Sequence, residues 1–86
     1  MAELTISVVS ADAEVWAGSA KQIVARTTEG EIGILPGHEP ILAILAAGEV
    51  RVTTADGTVV TANAEDGFLS VQDNTVTVVA RNAALV

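Results

Sequence analysis

The sequence contains no cysteine, so disulfide bonds, thiolate metal sites and cysteine nucleophiles within it are excluded. It has only two aromatic residues, Trp16 and Phe68, and only four basic residues against eleven acidic ones, which gives a formal net charge of −7. An acidic chain without a set of stacking side chains repels nucleic acid and anionic lipid surfaces. We therefore expect no nucleic acid and no direct membrane insertion among its interactions.

Long hydrophobic runs are also missing. The longest apolar stretch, residues 41–47, has seven residues, whereas a membrane-spanning helix needs about 20. The N-terminus has no basic region followed by a long apolar core, so no secretory signal is expected. The 86 residues are half hydrophobic, which predicts one compact domain over residues 1–86 and leaves no room for a second.

Apolar and polar residues alternate with a period of two, as half-buried strands require. The alternation is clear in 4–8 and 75–78, and turn signals at 55–57, 65–67 and 73–74 separate such runs at intervals of about eight to ten residues. This rhythm favours an all-β sandwich or barrel. Strands are predicted at 3–9, 20–27, 31–35, 41–46, 49–54, 58–64, 67–71 and 75–81.

Two stretches depart from this rhythm. EPILAILAAGE, residues 39–49, has the composition of a buried helical turn, but Pro40 and Gly48 keep it short and favour a strand. Residues 81–86 show no periodicity. Trp16 is expected to seal one end of the core rather than to lie at an interface. The predicted core residues are Leu4, Ile6, Val8, Ile23, Val52, Phe68, Val76 and Val78.

The motif EGEIGILPGHEP, residues 29–40, holds three glycines, both prolines and the only histidine, His38. A Ser-His-Asp site would need a serine on a strand-turn-helix elbow, and none of the serines has that setting. No GKS or GKT follows the glycines, so a phosphate loop is not predicted. The prolines fix φ and remove two N–H donors, which favours a stiff corner without a catalytic residue. A small hydrolase that uses His38 is the alternative.

Paired carboxylates raise the question of a metal site. Ca²⁺ requires six to eight oxygen ligands, and no loop has the EF-hand spacing, so neither a metal nor a cofactor is expected. The pairs are Asp12 with Glu14, Glu29 with Glu31, and Glu65 with Asp66. Lys21, the only lysine, allows a second alternative, a lipoyl or biotinyl carrier domain, but such a domain presents its lysine at a hairpin tip and Lys21 falls within a predicted strand.

EGEIGILPGHEPIL, residues 29–42, resembles the signature of the epsilon subunit of bacterial F-type ATP synthases. VVSADAEVWAG, residues 8–18, and DGFLSVQDNTVTVVA, residues 66–80, are similar to further parts of the same N-terminal domain. The resemblance implies a flattened antiparallel β-sandwich of about ten short strands. It also implies a non-catalytic rotor subunit that joins the gamma subunit to the c ring and supports coupling of proton flow to ATP synthesis. Such a subunit is a monomer within a hetero-oligomeric complex, peripheral at the cytoplasmic face of the bacterial cell membrane.

The resemblance also implies roles for single residues. Glu31 matches the family position that approaches the basic polar loops of the c ring, and Ser10 and His38 match positions near gamma. Ala43 occupies a family position just beyond Pro40 that is often threonine, so a polar contact there is not expected. Family members usually continue into two C-terminal helices that restrain ATP hydrolysis and in some bacteria bind ATP. Because the sequence ends at Val86, neither action is expected of it by that route.

Overall fold

The computed structural model describes residues 3–11 and 13–86, and in these ranges it contains strands and turns but no helix, hence none able to cross a bilayer. Asp12, one member of a predicted carboxylate pair, lies outside them. The all-β class is confirmed. The strands are β1 (Leu4–Val9), β2 (Glu14–Thr27), β3 (Gly30–Ile34), β4 (Ile41–Ile44), β5 (Gly48–Thr54), β6 (Val59–Gln72) and β7 (Thr75–Leu85).

The strands form a sheet that closes on itself. Neighbours are hydrogen-bonded in the order β1-β7-β6-β5-β2, and β1 also pairs with β2, which completes a ring of five strands. The long strand β2 pairs with β1 along its first half and with β5 along its second. The long strand β6 pairs with β5 along its first half and with β4 along its second, so the ring is flattened into two layers. The β1 layer contains β1, β4 and the adjoining halves of β2, β6 and β7. The β5 layer contains β3, β5 and the remaining halves.

Three strands are longer than the sequence predicts. The predicted strands 58–64 and 67–71 are one strand, β6, so the turn predicted at 65–67 is wrong, although Asp66 has a φ of 57°. β2 already begins at Glu14, and β7 runs on through residues 81–85, which showed no periodicity. Residues 3–11 and 13–86 therefore form seven strands rather than about ten short ones, because β2, β6 and β7 bend from one layer into the other without ending.

The pairing of β1 with β7 is parallel, whereas the prediction was entirely antiparallel. The other neighbouring pairs in the ring are antiparallel. A closed ring with an odd number of strands cannot alternate direction at every step, so one pair has to be parallel. The parallel pair is thus a consequence of closing the ring with five strands.

The apolar core lies between the two layers. Seven of the eight predicted core residues are buried, and Phe68 is the exception at 39% exposure. Leu69 and Val71 occupy the inward positions of β6, so alternation turns Phe68 outward. Trp16 packs against the core while half-buried, as expected. Its indole lies over Gly18, where a Cβ would be 3.0 Å from the ring.

Two hairpin turns follow from local residue chemistry. Asp73 and Asn74, with φ of 48° and 59°, form the two-residue turn between β6 and β7, and positive φ at both positions marks a type I′ turn. The four residues from Ala55 to Thr58 join β5 to β6, with Gly57 at a φ of 91°. Both turns were predicted from these residues.

Gly67 is the tightest point in the ring. A Cβ at this position would lie 1.8 Å from the Val79 carbonyl oxygen and 2.6 Å from Ala80 Cα, both of which are backbone atoms of β7. Backbone cannot rotate away as a side chain can. The absence of a side chain at Gly67 is therefore a requirement for the pairing of β6 with β7.

We expect Gly67→Ala to lower the free energy of unfolding by about 1 to 3 kcal/mol, because β6 and β7 must separate to admit the methyl group. Gly33→Ala is the matched control, since a Cβ at Gly33 would have no neighbour within 4 Å. We expect that control to change stability by less than about 1 kcal/mol. Urea denaturation monitored by circular dichroism measures both, and equal losses in the two variants would contradict the steric explanation.

Candidate functional site

The loop that carries His38 is a stiff corner, as the sequence predicted. The His38 N–H donates to the Leu35 carbonyl oxygen at 3.2 Å, and Gly37 has a φ of 89°. With Pro36 second and Gly37 third, this is the arrangement of a type II turn. The His38 ring is half-buried, and its Nδ1 lies 2.8 Å from the Glu39 carbonyl oxygen.

Asn74 fastens this corner to the rest of the fold. Its Oδ1 accepts a hydrogen bond of 2.7 Å from the Gly37 N–H, and its carbonyl oxygen accepts one of 2.8 Å from the Thr5 N–H. One residue therefore joins the corner, the β6–β7 hairpin and the start of β1. The sequence marked Asn74 only as a turn residue, because no local pattern reports a contact between positions 37 residues apart.

Ser10 lies at the other end of β1. Its Oγ donates to the Ala13 carbonyl oxygen at 3.1 Å and its N–H donates to the same oxygen at 2.8 Å, which opens the turn into β2. Because Asn74 holds the His38 corner near the start of β1, Ser10 and His38 lie at opposite ends of the β1 layer. They do not form one cluster.

An apolar strip crosses the outer face of the β1 layer near its Ser10 end, because it includes Val9, the last residue of β1. Ile44 is paired with Phe68, Phe68 with Val79, and Val79 with Val9, so the four side chains lie side by side across β4, β6, β7 and β1. We call these four residues the apolar row. Ile44 is 57% exposed, and Leu42, also on the outer face of β4, is 71% exposed. Exposed apolar surface that continues across several strands indicates a contact surface.

The outer face of the β5 layer is chemically different. Arg26, Glu31, Gly48, Glu49 and Arg51 line a shallow depression of about 250 Å³, which we call the charged pocket. Glu31 Oε2 lies 3.7 Å from Arg51 Nη2, and both side chains are more than half exposed. Glu31 therefore does not present an isolated negative charge, since an arginine already shares it.

The larger depression of about 470 Å³, at the junction of β6 and β7, does not include His38. The single carboxylate that lines it, Glu65, accepts a hydrogen bond of 3.2 Å from Asn82 Nδ2. Lys21 lies within β2, away from any hairpin tip. In residues 3–11 and 13–86, no three His, Cys, Asp or Glu side chains are grouped so that they could hold a metal.

Asp56 is a structural carboxylate in the turn between β5 and β6. It accepts hydrogen bonds from the Thr54 hydroxyl and from the Thr58 N–H, the latter at 3.0 Å. These bonds favour the charged form, with the Thr54 hydroxyl as the main cause, and they lower the pKa of Asp56 from 3.8 to about 2. The carboxylate holds the turn between the two strands.

A family model described as "ATP synthase, Delta/Epsilon chain, beta-sandwich domain" matches residues 3–86. The chain belongs to the ATP synthase delta/epsilon chain family. Three bacterial relatives are named "ATP synthase epsilon chain". Those from Micrococcus luteus, Rhodococcus jostii and Streptomyces coelicolor are 52%, 50% and 48% identical, and the matches cover 99%, 99% and 98% of this chain. They cover 93%, 70% and 68% of the relatives, respectively.

Solved structures agree with this membership. A chain in the cryo-EM structure of the Euglena gracilis mitochondrial ATP synthase, comprising OSCP, F1 and the c ring, has a TM-score of 0.91 and 28% identity over 99% of this chain. This chain spans 54% of that one. A chain of the Tetrahymena thermophila enzyme, from its central stalk and c ring, has a TM-score of 0.74 at 16% identity and shows the shared fold. The resemblance found in the sequence is confirmed, and the roles of Glu31, Ser10 and His38 stay predictions.

We expect Asn74→Gly to accelerate hydrogen exchange of the Gly37 amide about five- to tenfold, because the amide loses a hydrogen bond worth about 1 kcal/mol. Glycine adopts the positive φ of this position without strain, so the change reports the lost side chain. Asn74→Asp is the matched control, since it keeps an oxygen acceptor. NMR-detected hydrogen exchange measures the Gly37 rates. Indistinguishable rates in all three proteins would show that the hydrogen bond from the Gly37 N–H to Asn74 Oδ1 is unimportant.

The lowered pKa of Asp56 predicts a pH dependence of stability. The stabilising contribution of the Asp56 carboxylate is present above its unfolded-state pKa near 3.8, and it is lost as pH falls through its folded-state pKa of about 2. The difference in melting temperature between the wild-type protein and Asp56→Asn should therefore be largest near neutral pH and shrink between pH 4 and pH 2. The other carboxylates are common to both proteins and cancel in the comparison. A difference that stays constant down to pH 2 would contradict the prediction.

Proposed function

We propose that this protein is a non-catalytic rotor subunit in the central stalk of an F-type ATP synthase, where it joins the gamma subunit to the c ring. The observation that carries the proposal is a closed two-layer sandwich whose opposite outer faces have different chemistry, one apolar and one charged. A connector that transmits torque needs stiffness and two separate contact surfaces. Its place would be the cytoplasmic face of the membrane, as a peripheral single copy in the complex.

The β1 layer is the proposed gamma surface. A partner that contacts both Ser10 and His38 has to extend along the whole layer, because these residues lie at its opposite ends. Such a partner would cover the apolar row, which lies near the Ser10 end, and Leu42, which lies nearer the His38 corner on β4. Burial of exposed apolar side chains contributes about 25 cal/mol per Å², which supplies affinity that two polar residues alone would not. His38 and Ser10 then mark the two ends of the contact, and the apolar row supplies apolar contact area near the Ser10 end.

The β5 layer carries the proposed contact with the c ring. Glu31 is exposed on the outer face of β3, an edge strand that pairs only with β2. Basic loops of the c ring would meet its carboxylate there, in competition with Arg51. The contact with gamma and the contact with the c ring thus use opposite faces of one sandwich, so both partners can bind at once.

The sandwich is proposed to support coupling without taking part in chemistry. The ring closure joins both layers through continuous strands, so a force applied to one face reaches the other through backbone rather than through a hinge. The region described here has no helix that could extend along gamma. We therefore propose that, by itself, it supports proton-driven ATP synthesis and does not restrain ATP hydrolysis.

We expect the tagged protein to recover gamma and the c ring from solubilised membranes of its host, and Ile44→Thr to reduce recovery of gamma about tenfold. The reason is the loss of aliphatic surface that gamma would bury in the apolar row, worth between about 1 and 2 kcal/mol. Val59→Thr is the matched control, because Val59 is a β-branched residue at 56% exposure outside the apolar row. Quantitative immunoblotting of the bound fraction gives the readout.

Melting curves of both variants would first establish that each is folded. Failure of the wild-type protein to recover either subunit would reject the proposed function. Equal recovery of gamma by Ile44→Thr and Val59→Thr would leave the rotor assignment standing and reject the β1 layer as the gamma surface.

A further inference from the structure

The charged pocket differs from the rest of the surface in its balance of charge. Two of the four basic residues, Arg26 and Arg51, line it together with two of the eleven acidic ones, Glu31 and Glu49. The pocket is therefore formally neutral, and the two basic and nine acidic residues elsewhere carry the whole net charge of −7. An acidic group on a partner is repelled by most of this protein and finds two arginines together at the charged pocket.

The Arg26 side chain packs against Gly48 through its aliphatic stem, and its guanidinium group has no ion-pair partner among the described residues. Its stem packs across Gly48, where a Cβ would be 3.1 Å from Arg26 Cδ. In β-sheet register Arg26 lies opposite Glu31, yet among the described residues the only ion pair within 4.0 Å joins Glu31 to Arg51. The Arg26 guanidinium thus lies beside the pocket with its stem positioned and without an internal carboxylate partner.

We propose that the charged pocket receives a carboxylate side chain of the subunit that Glu31 faces, and that Arg26 is the residue that binds it. The pocket offers a cation from Arg26 next to the Glu31 carboxylate, which pairs with Arg51 at 3.7 Å. It recognises a loop that carries an acidic and a basic side chain close together, rather than a uniformly basic one. This alternation fixes how the partner is seated, because a displaced loop would bring like charges together.

This proposal rests on the proposed function, which assigns the face around Glu31 to the c ring. The test measures the dissociation constant of the protein for an immobilised gamma–c-ring subcomplex in detergent. We expect Arg26→Gln to weaken binding about three- to tenfold at low salt, with a smaller effect at high salt, since the contact is an exposed charge pair. Arg81→Gln removes the same charge from an exposed arginine outside the charged pocket, and it should bind within about twofold of wild type.

The partner's side is tested by replacing each loop carboxylate of the c subunit in turn with its amide. One replacement should weaken binding as much as Arg26→Gln does, and the two changes together should cause no further loss. The proposal would be overturned by wild-type affinity in Arg26→Gln or by equal losses in Arg26→Gln and Arg81→Gln. It would also be overturned if no c-subunit carboxylate replacement were coupled to Arg26→Gln. Tighter binding by Arg26→Gln would also overturn it, because Arg26 would then only compete with basic groups for Glu31. Absence of wild-type binding would instead reject the proposed function itself.

Discussion

The pairing of β1 with both β2 and β7 is the interaction on which the rest of the structure depends. Without it, β2 and β7 would each have an unpaired edge, and the two layers would be joined only where β6 and β2 bend between them. With it, five strands form a closed ring whose backbone donors and acceptors are used internally. The parallel β1–β7 pair, the absence of a side chain at Gly67 and the Asn74 junction at the start of β1 all serve this closure.

Ring closure also separates the two outer faces. Inward positions of every strand are taken up by the shared core, so each layer has only its outer positions available for other proteins. In the β1 layer these positions hold the apolar row, and in the β5 layer they hold arginines and glutamates. A small protein with one core can thus present two unrelated surfaces without a second domain. That combination supports the proposed connector role, in which two partners bind at once.

Local chemistry made several features predictable from the sequence. The turns at 55–57 and 73–74 depend on glycine, aspartate and asparagine at positions that need a positive φ, and they occur where predicted. The continuity of β6 was not predictable in the same way, because Glu65-Asp66-Gly67 has the composition of a turn. Gly67 is there for a different reason, the close approach of Val79 in another strand. Phe68 was placed in the core for its size, although the neighbouring Leu69 and Val71 already filled the inward positions of that strand.

The residues of the contact surfaces also differ in how far they could be predicted from the sequence. Glu31, Ser10 and His38 could be named because a family motif marks them, but the motif does not show that Ser10 and His38 lie far apart or that Arg51 shares the charge of Glu31. The apolar row joins residues from β1, β4, β6 and β7 that are scattered through the sequence, and only strand register brings them together. Arg26 and Gly48 are likewise ordinary residues until the fold lays the stem of one across the other. The role proposed for these residues depends on where the fold places them, so the sequence alone could not indicate it.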